Sequence, residues 1–411
     1  MGDHARTAAP RRAAVAFIFV TILLDMLALG LIAPILPKLV ESFVDNDTAS
    51  AARIFGVFGT VWALMQFFFS PLLGGLSDRF GRRPVVLLSN CGLALDYVLM
   101  ALAPSLTWLF IGRVISGITS ASVSTAFAYI ADVTPPEKRA AVFGQIGVAF
   151  GAGFILGPAL GGLLGGLDPR LPFWVAAGLS FANTLYGLVI LPESLPRERR
   201  SPFRWKSANP LGALHLLRTD RVLSGLSMVN FIAQLAHVVL PSTFVLYATY
   251  RYGWDAATVG LTLAMVGVCS MAVQGAAIGP IVGRLGERRA LLLGLACGAI
   301  GFLIFGAAPE GHLFWVGIPV MAVWGVAGAA TQSLMTRLVA ADQQGQLQGA
   351  TSSVQSVSQL VGPFLFTLTF AYFIGPQAPL KLPGAPFLLA AALLLLALGV
   401  AARTLAVARV R

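Results

Sequence analysis

The sequence predicts an all-α membrane protein with twelve transmembrane helices in two pseudo-symmetric six-helix halves. Three observations predict it. Only 11% of the 411 residues are charged while 57% are hydrophobic, where a soluble domain carries about 25% charged residues. Apolar runs of membrane-spanning length recur along the whole chain. A single long polar stretch, Pro192 to Asp220, divides six such runs from six more. Lipid requires backbone polar groups to be satisfied within their own segment, and the runs are too long for barrel strands, so each is expected to be a helix.

Helix one is expected over 13–36, behind the basic residues Arg6, Arg11 and Arg12. Its apolar run exceeds a signal-peptide core and lacks a small-residue cleavage site, so it is expected to stay in the membrane. Helix two (54–75) runs into SPLLGGLSDRFGRRP (70–84), where glycines allow close helix approach and a tight turn into helix three (84–103). Helix four is expected over 107–130, and helix five over 141–165 with GAGFILGPALGG at 151–162. The small residues there suit intimate helix contact, and Pro158 a bend. Helix six (172–191) ends at Pro192, and the Pro, Arg and Ser content of 192–221 marks a central loop. The expected domains are thus an N-terminal half (1–191), the loop (192–221) and a C-terminal half (222–411). Helices seven to twelve are expected over 222–249, 257–281, 289–307, 313–335, 347–373 and 384–405. After helix eight, GPIVGRLGER (279–288) echoes GGLSDRFGRR (74–83): Gly74 aligns with Gly279, Arg79 with Arg284 and Gly81 with Gly286, while Gly283 replaces Asp78. Two six-helix repeats are a common transporter plan.

The net charge of +11 has a topological origin. An even helix count puts both termini on one side, together with Arg79, Arg82, Arg83, Lys138, Arg139 and the basic central loop. Only Lys38, Arg53, Arg170, Arg251 and Lys381 fall on the other side. The positive-inside rule makes the first side cytoplasmic, so the basic balance does not point to nucleic acid. Cys91, Cys269 and Cys297 lie scattered in apolar helices and fit neither a disulfide framework nor a metal site. No metal, cofactor or enzyme motif is found, and the four histidines lack metal-ligand spacing.

The charged turn has two readings. Asp78 can face the positive end of a neighbouring helix, and Arg82 and Arg83 can pair with Asp132 and Glu137 after helix four, making a breakable cytoplasmic cluster that suits a gate. The other reading is a purely topogenic basic loop. At this point the sequence resembles the major facilitator superfamily, whose loop motif between helices two and three is similar to GGLSDRFGRRP. Within it the chain looks like the proton-coupled drug antiporters of the tetracycline-efflux branch, through LLDMLALGLIAPILP (23–37), LDYVLMALAP (95–104), GRVISGIT (112–119), GAGFILGPALGG, RYGWDAATVGLTLA (251–264), GRLGERRALLLG (283–294) and QQGQLQG (343–349). The resemblance implies a gate motif at Gly74, Asp78, Arg79, Gly81, Arg82, Arg83 and Asp132. It also implies an antiporter helix at Gly153, Gly157, Pro158, Gly161 and Gly162 whose bend seals a leak path.

Asp25, Asp96 and Arg113 fall inside helices one, three and four, each at a cost of about 2.5–3.5 kcal/mol on insertion scales. A carboxylate balanced between desolvation and a nearby arginine can change protonation as its surroundings change, which is what proton coupling requires. A permanent Asp–Arg pair pinning helices together is the alternative. Arg113 resembles the arginine of the family's helix-four motif. Gln66, Gln234, His237, Phe244, Ser270 and Gln274 are the substrate-binding candidates, because a mostly apolar site with a few polar groups suits an amphiphile. The chain departs from the branch at Ser270, where the family places a histidine, and at Gly298, where it places an aspartate. Restoring both is expected to strengthen transport of chelated tetracycline.

The expected function is therefore proton-coupled antiport exporting small amphiphilic compounds, tetracycline among them. The partners are a small-molecule substrate, protons and the lipid bilayer. The expected form is a monomer in a bacterial-type inner membrane with both termini cytoplasmic. A metabolite facilitator or importer on the same fold is the alternative, disfavoured by the buried acids.

Overall fold

Each long apolar run closes its hydrogen bonds within a helix, and every regular element among the described residues is helical. The computed structural model describes residues 3–120, 123–134, 136–200, 216–217, 220–340 and 343–410. The side chains of Arg6, Arg11, Arg12, Glu137, Lys138 and Arg139 and most of the central loop lie outside the described residues.

Ten described helices are long and apolar enough to cross a membrane. One of them, Ala256–Ala307, spans 52 residues and breaks at Gly286 (φ 73°, ψ 160°), so it is two spans. A further span, 106–133, contains residues 121–122, which lie outside the described residues. The twelve expected spans are thus present: α1 (Asp3–Ile32), α2 (Thr48–Phe80), α3 (Arg82–Leu102), α4 (Leu106–Thr119 with Val123–Val133), α5 (Pro136–Leu167), α6 (Leu171–Ile190), α7 (Arg221–His237 with Val239–Tyr252), α8 (256–285), α9 (287–307), α10 (Gly311–Ala322 with Gly325–Thr336), α11 (Gln344–Ile374) and α12 (Ala385–Val410).

The ends follow local chemistry. α1 stops at Ile32, four residues short of the expected 36, because Pro34 lacks an N–H and disfavours helical geometry at Ala33. A short helix, Leu36–Ser42, follows it. α2 starts at Thr48, earlier than expected, where Asp47 accepts from the Ala49 N–H at 3.1 Å and so satisfies an orphan donor. α5 starts with Pro136 at its first position, where the missing N–H costs nothing. Asp220 caps α7, accepting from Val222 at 2.7 Å and Leu223 at 3.0 Å.

The described chain falls into two compact units: 1–39, 61–209 and 255–264 in one, and 40–60, 210–254 and 265–411 in the other. In the first, α1 packs on α5 and α6, and α3 on α4 and α6. Its core gathers Ile18, Ile22, Tyr129, Ile130 and Ile146. In the second, α9 packs on α10 and α12, and α7 on α11 and α12. Its core is aromatic: Phe305 stacks on Phe314 at 4.0 Å, with Tyr247 4.9 Å from Phe387. Leu88, Leu167 and Val189 are 73%, 80% and 85% exposed, as lipid-facing side chains should be. Lipid is as apolar as leucine, so helix association rests on close packing and polar links instead of water exclusion.

Candidate functional site

The charged turn folds around a glycine in the left-handed region. Gly81 has φ +108°, and an added Cβ would also meet Glu193 and Arg200. Any side chain there is strained twice over. Gly74, by contrast, has no described atom within 4 Å of its Cβ direction.

Arg82, the first residue of α3, is the hub. It pairs with Asp78 at 2.5 Å and, through Nε, with Asp132 in the last turn of α4 at 3.2 Å. Its Nη1 also donates to Ser77 Oγ at 2.6 Å. Asp78 therefore meets the start of α3 through the Arg82 guanidinium. The carboxylate that receives a backbone N–H there is Glu193, 2.8 Å from the Arg82 nitrogen. Arg83 donates to the Leu188 carbonyl at 2.8 Å, while the Glu137 side chain expected as its partner lies outside the described residues. Arg79 is exposed, its guanidinium 5.2 Å from the Phe80 ring centre.

The sequence reading missed the role of the loop's first residues. Ser194 donates to Asp132 at 3.1 Å, Arg200 lies 3.9 Å from Glu193, and Tyr129 donates to the Pro192 carbonyl at 2.9 Å. The start of the central loop is thus tied to the charged turn. The acid directly after helix six, opposite a basic turn, was the available signal.

The echo motif repeats this geometry in the second unit. Gly286 also has a positive φ of +73°, and Glu287 follows it as Arg82 follows Gly81. Glu287 pairs with Arg337, at the end of α10, at 2.6 Å and accepts from Ser333 at 2.6 Å. The same bridge is therefore built with its charges exchanged.

Within the membrane, Asp25 of α1 accepts from Asn183 of α6 at 3.1 Å. Thr21 donates to the Asn183 carbonyl oxygen at 3.1 Å, which turns the amide nitrogen toward Asp25. Asn183 is fully buried and did not figure among the sequence candidates, since nothing local in an apolar helix marks its partner. Asp96 is 1% exposed and faces Arg113 at 3.9 Å, an ion-pair contact too long for a hydrogen bond. Arg113 also reaches the Met100 sulfur at 3.3 Å. Gly112 leaves room for this pair: a Cβ there would lie 2.9 Å from Asp96 Oδ1 and 2.8 Å from Met100 Cγ.

α5 supports α1 behind Asp25. Gly153, Gly157 and Gly161, four residues apart, form one seam. Their Cβ positions would fall 2.6 Å from Met26 Cβ, 2.6 Å from Gly30 Cα and 2.8 Å from Leu31 Cα respectively. On another side of α5, a Cβ on Gly162 would lie 3.0 Å from Gly260 Cα, and the Pro158 carbonyl would meet a Cβ on Gly260.

The remaining candidates are spread more widely. Gln66 is half-buried in α2, and Gln234 in α7. His237 ends the first segment of α7 with its ring 5.6 Å from that of Trp324. Phe244 is 1% exposed and packs at 5.3 Å on Phe314 within the aromatic core. Ser270 is half-buried, and Gln274 is exposed within a π-helical turn, Val273–Ala277. Such a turn is frequent at functional sites, and no residue type announces it. Gly298 is buried with its Cβ direction closed by Trp324 and Leu394, each at 2.8 Å. Among the described residues no group of His, Cys, Asp or Glu can hold a metal ion.

The profile of the Major Facilitator Superfamily matches residues 18–363 and 226–409. The tetracycline resistance protein, class C, of Escherichia coli is 39% identical over 354 residues, covering 85% of this chain and 88% of that protein. The class G protein of Vibrio anguillarum is 40% identical over 354 residues, covering 86% and 89%. The crystal structure of the human organic anion transporter MFSD10 (TETRAN) superposes with a TM-score of 0.69 at 26% identity, covering 95% and 99%. The chain belongs to the Major Facilitator Superfamily and is a multi-pass integral membrane protein.

Proposed function

We propose that this protein is a proton-coupled antiporter that exports small amphiphilic compounds, with tetracycline-like antibiotics as the leading substrate class. The observation that carries the reading is the placement of two carboxylates within the helices of one unit. Asp25 is held by a neutral amide and Asp96 faces an arginine. Carboxylates within spanning helices are costly and mark proton or substrate pathways by default. The two differ in partner chemistry, so they are suited to exchange protons under different conditions. Similarity to several tetracycline resistance proteins over most of the chain supports the same reading.

In this proposal Asp25 and Asp96 carry protons and Arg113 tunes Asp96. The Arg82 cluster closes the cytoplasmic face, and the α5 glycine seam with Pro158 seals against leak. In the second unit, Gln234, His237, Ser270 and Gln274 offer polar contacts to cargo, while Phe244 supports the core. The two functional halves are 1–191 and 222–411, joined by 192–221. The chain works as a monomeric transporter and not as an enzyme, in a bacterial-type inner membrane with both termini cytoplasmic. The test is tetracycline uptake into proteoliposomes under an imposed pH gradient. Asp25→Asn and Asp96→Asn should each abolish gradient-driven uptake while leaving facilitated exchange measurable. Full gradient-driven transport by both variants would overturn the coupling and favour a facilitator.

A further inference from the structure

A second basic site lies in the C-terminal half, away from the residues assigned to transport. A pocket of about 410 Å³ opens where α7 begins, α8 turns into α9, and α10 and α12 end. Its walls carry Arg288, Arg289 and Arg337 against one acid, Glu287. Its apolar lining is formed by Val222, Leu226 and Leu405, which are 6%, 1% and 6% exposed. Leu285 and Leu338, also in the lining, are 40% and 42% exposed. Cations therefore sit beside open apolar surface at the level where spanning helices end.

We propose that this pocket is a binding site for the phosphate headgroup of an anionic phospholipid. Among the described lining residues three arginines stand beside one carboxylate, and guanidinium groups match phosphate oxygens in geometry. Glu287 is already engaged by Arg337 and Ser333, so its charge is largely compensated before any ligand enters. The apolar lining and the exposed leucines distinguish a lipid from free phosphate, because an inorganic anion gains nothing from them. Basic pockets between helix ends bind lipid headgroups by this combination. The site would be filled from the surrounding leaflet and makes no demand on the transport cycle.

The experiment is a native mass-spectrometric titration of the full chain in detergent with phosphatidylglycerol and with phosphatidylcholine. The wild type should retain phosphatidylglycerol in preference to phosphatidylcholine. Each arginine near a membrane surface contributes about 1 kcal/mol, so Arg288→Gln/Arg289→Gln should weaken phosphatidylglycerol binding about 30-fold. The Lys/Lys counterpart keeps the charge without the guanidinium fork and should recover only part of the binding. Leu338→Glu adds a negative charge at the mouth without removing an arginine, and it should weaken binding even if the double variant inserts poorly. Equal retention of the two lipids, or Leu338→Glu binding like the wild type, would overturn the proposal. Complete displacement of phosphatidylglycerol by millimolar inorganic phosphate would also overturn it, assigning the pocket to the free anion.

Discussion

The exchanged polarity of the two bridges makes the Arg82 cluster testable by reconstruction. Arg82 is 11% exposed at its side chain, Asp132 25% and Asp78 48%. The half-exposed pair to Asp78, four residues earlier, contributes about 0.3–0.5 kcal/mol, and a charge-assisted hydrogen bond such as that to Asp132 about 1.5–3 kcal/mol. Arg82→Glu removes both and sets like charges against Asp78 and Asp132. The expected loss is about 2–3 kcal/mol, about 30- to 150-fold in the equilibrium that the cluster biases. The second unit shows how to restore it, since there an acid follows the turn glycine, an arginine ends α10, and Gly283 stands where the first unit has Asp78. The triple variant Asp78→Gly/Arg82→Glu/Asp132→Arg copies that arrangement. It should recover to within about 1 kcal/mol of the wild type, since coupled neighbours are not additive. Thermal unfolding in detergent reads the stability, and uptake into inverted vesicles reads the transport. A triple variant no better than Arg82→Glu alone would refute the claim that the two turns share one bridge.

Three further outcomes are expected. Gly157→Ala puts a methyl 2.6 Å from Gly30 Cα and 2.9 Å from the Leu27 carbonyl, and should cost about 1–3 kcal/mol by overpacking; Gly166→Ala, with open space around it, is the control in the same unfolding assay. Ser270→His/Gly298→Asp should destabilise instead of simply improving chelated-tetracycline uptake, because Trp324 and Leu394 close position 298; only with Trp324→Ala and Leu394→Ala added should uptake rise in inverted vesicles. Asp255 caps the start of α8, and hydrogen bonds from Thr258 hold its carboxyl below the usual 3.8. Its stabilisation is therefore full above that value and lost as pH falls through the lower folded one, so the unfolding difference between wild type and Asp255→Ala should persist at pH 7 and vanish in strong acid.

Much of the fold was legible because lipid makes helix formation a local requirement. Twenty apolar residues must close their own hydrogen bonds whatever they later pack against. Where the ends departed from expectation, a side chain with a purely local effect explains it, as Pro34 does for α1 and Asp47 for α2. The partners of the membrane carboxylates were not legible. Asn183 lies 158 residues from Asp25, and no single sequence pairs an amide with an acid across that distance. The π-helical turn at Val273–Ala277 was equally silent, since its residues would serve an ordinary helix. Glu193 was overlooked for a different reason: it sits in a segment whose composition reads as linker, and only the fold brings it to the start of α3.

The echo between the two turns was visible but understated. Residue identity recovers two glycines and two arginines, because the acid and the base of the bridge have changed places. What the two halves share is a physical requirement. A backbone turn must pass through positive φ, which holds Gly81 and Gly286 in place, and the first residue of the following helix must meet an opposite charge at the end of the helix after it. Arg82 with Asp132 and Glu287 with Arg337 both satisfy that rule. Coulomb attraction does not depend on which partner carries which sign, so the pair can invert while its position stays fixed. The inversion leaves the first unit with an arginine hub surrounded by acids, and the second with a single acid surrounded by arginines. The same geometric device therefore sets one arginine among acids in one half and, among the described residues, one acid beside several arginines in the other.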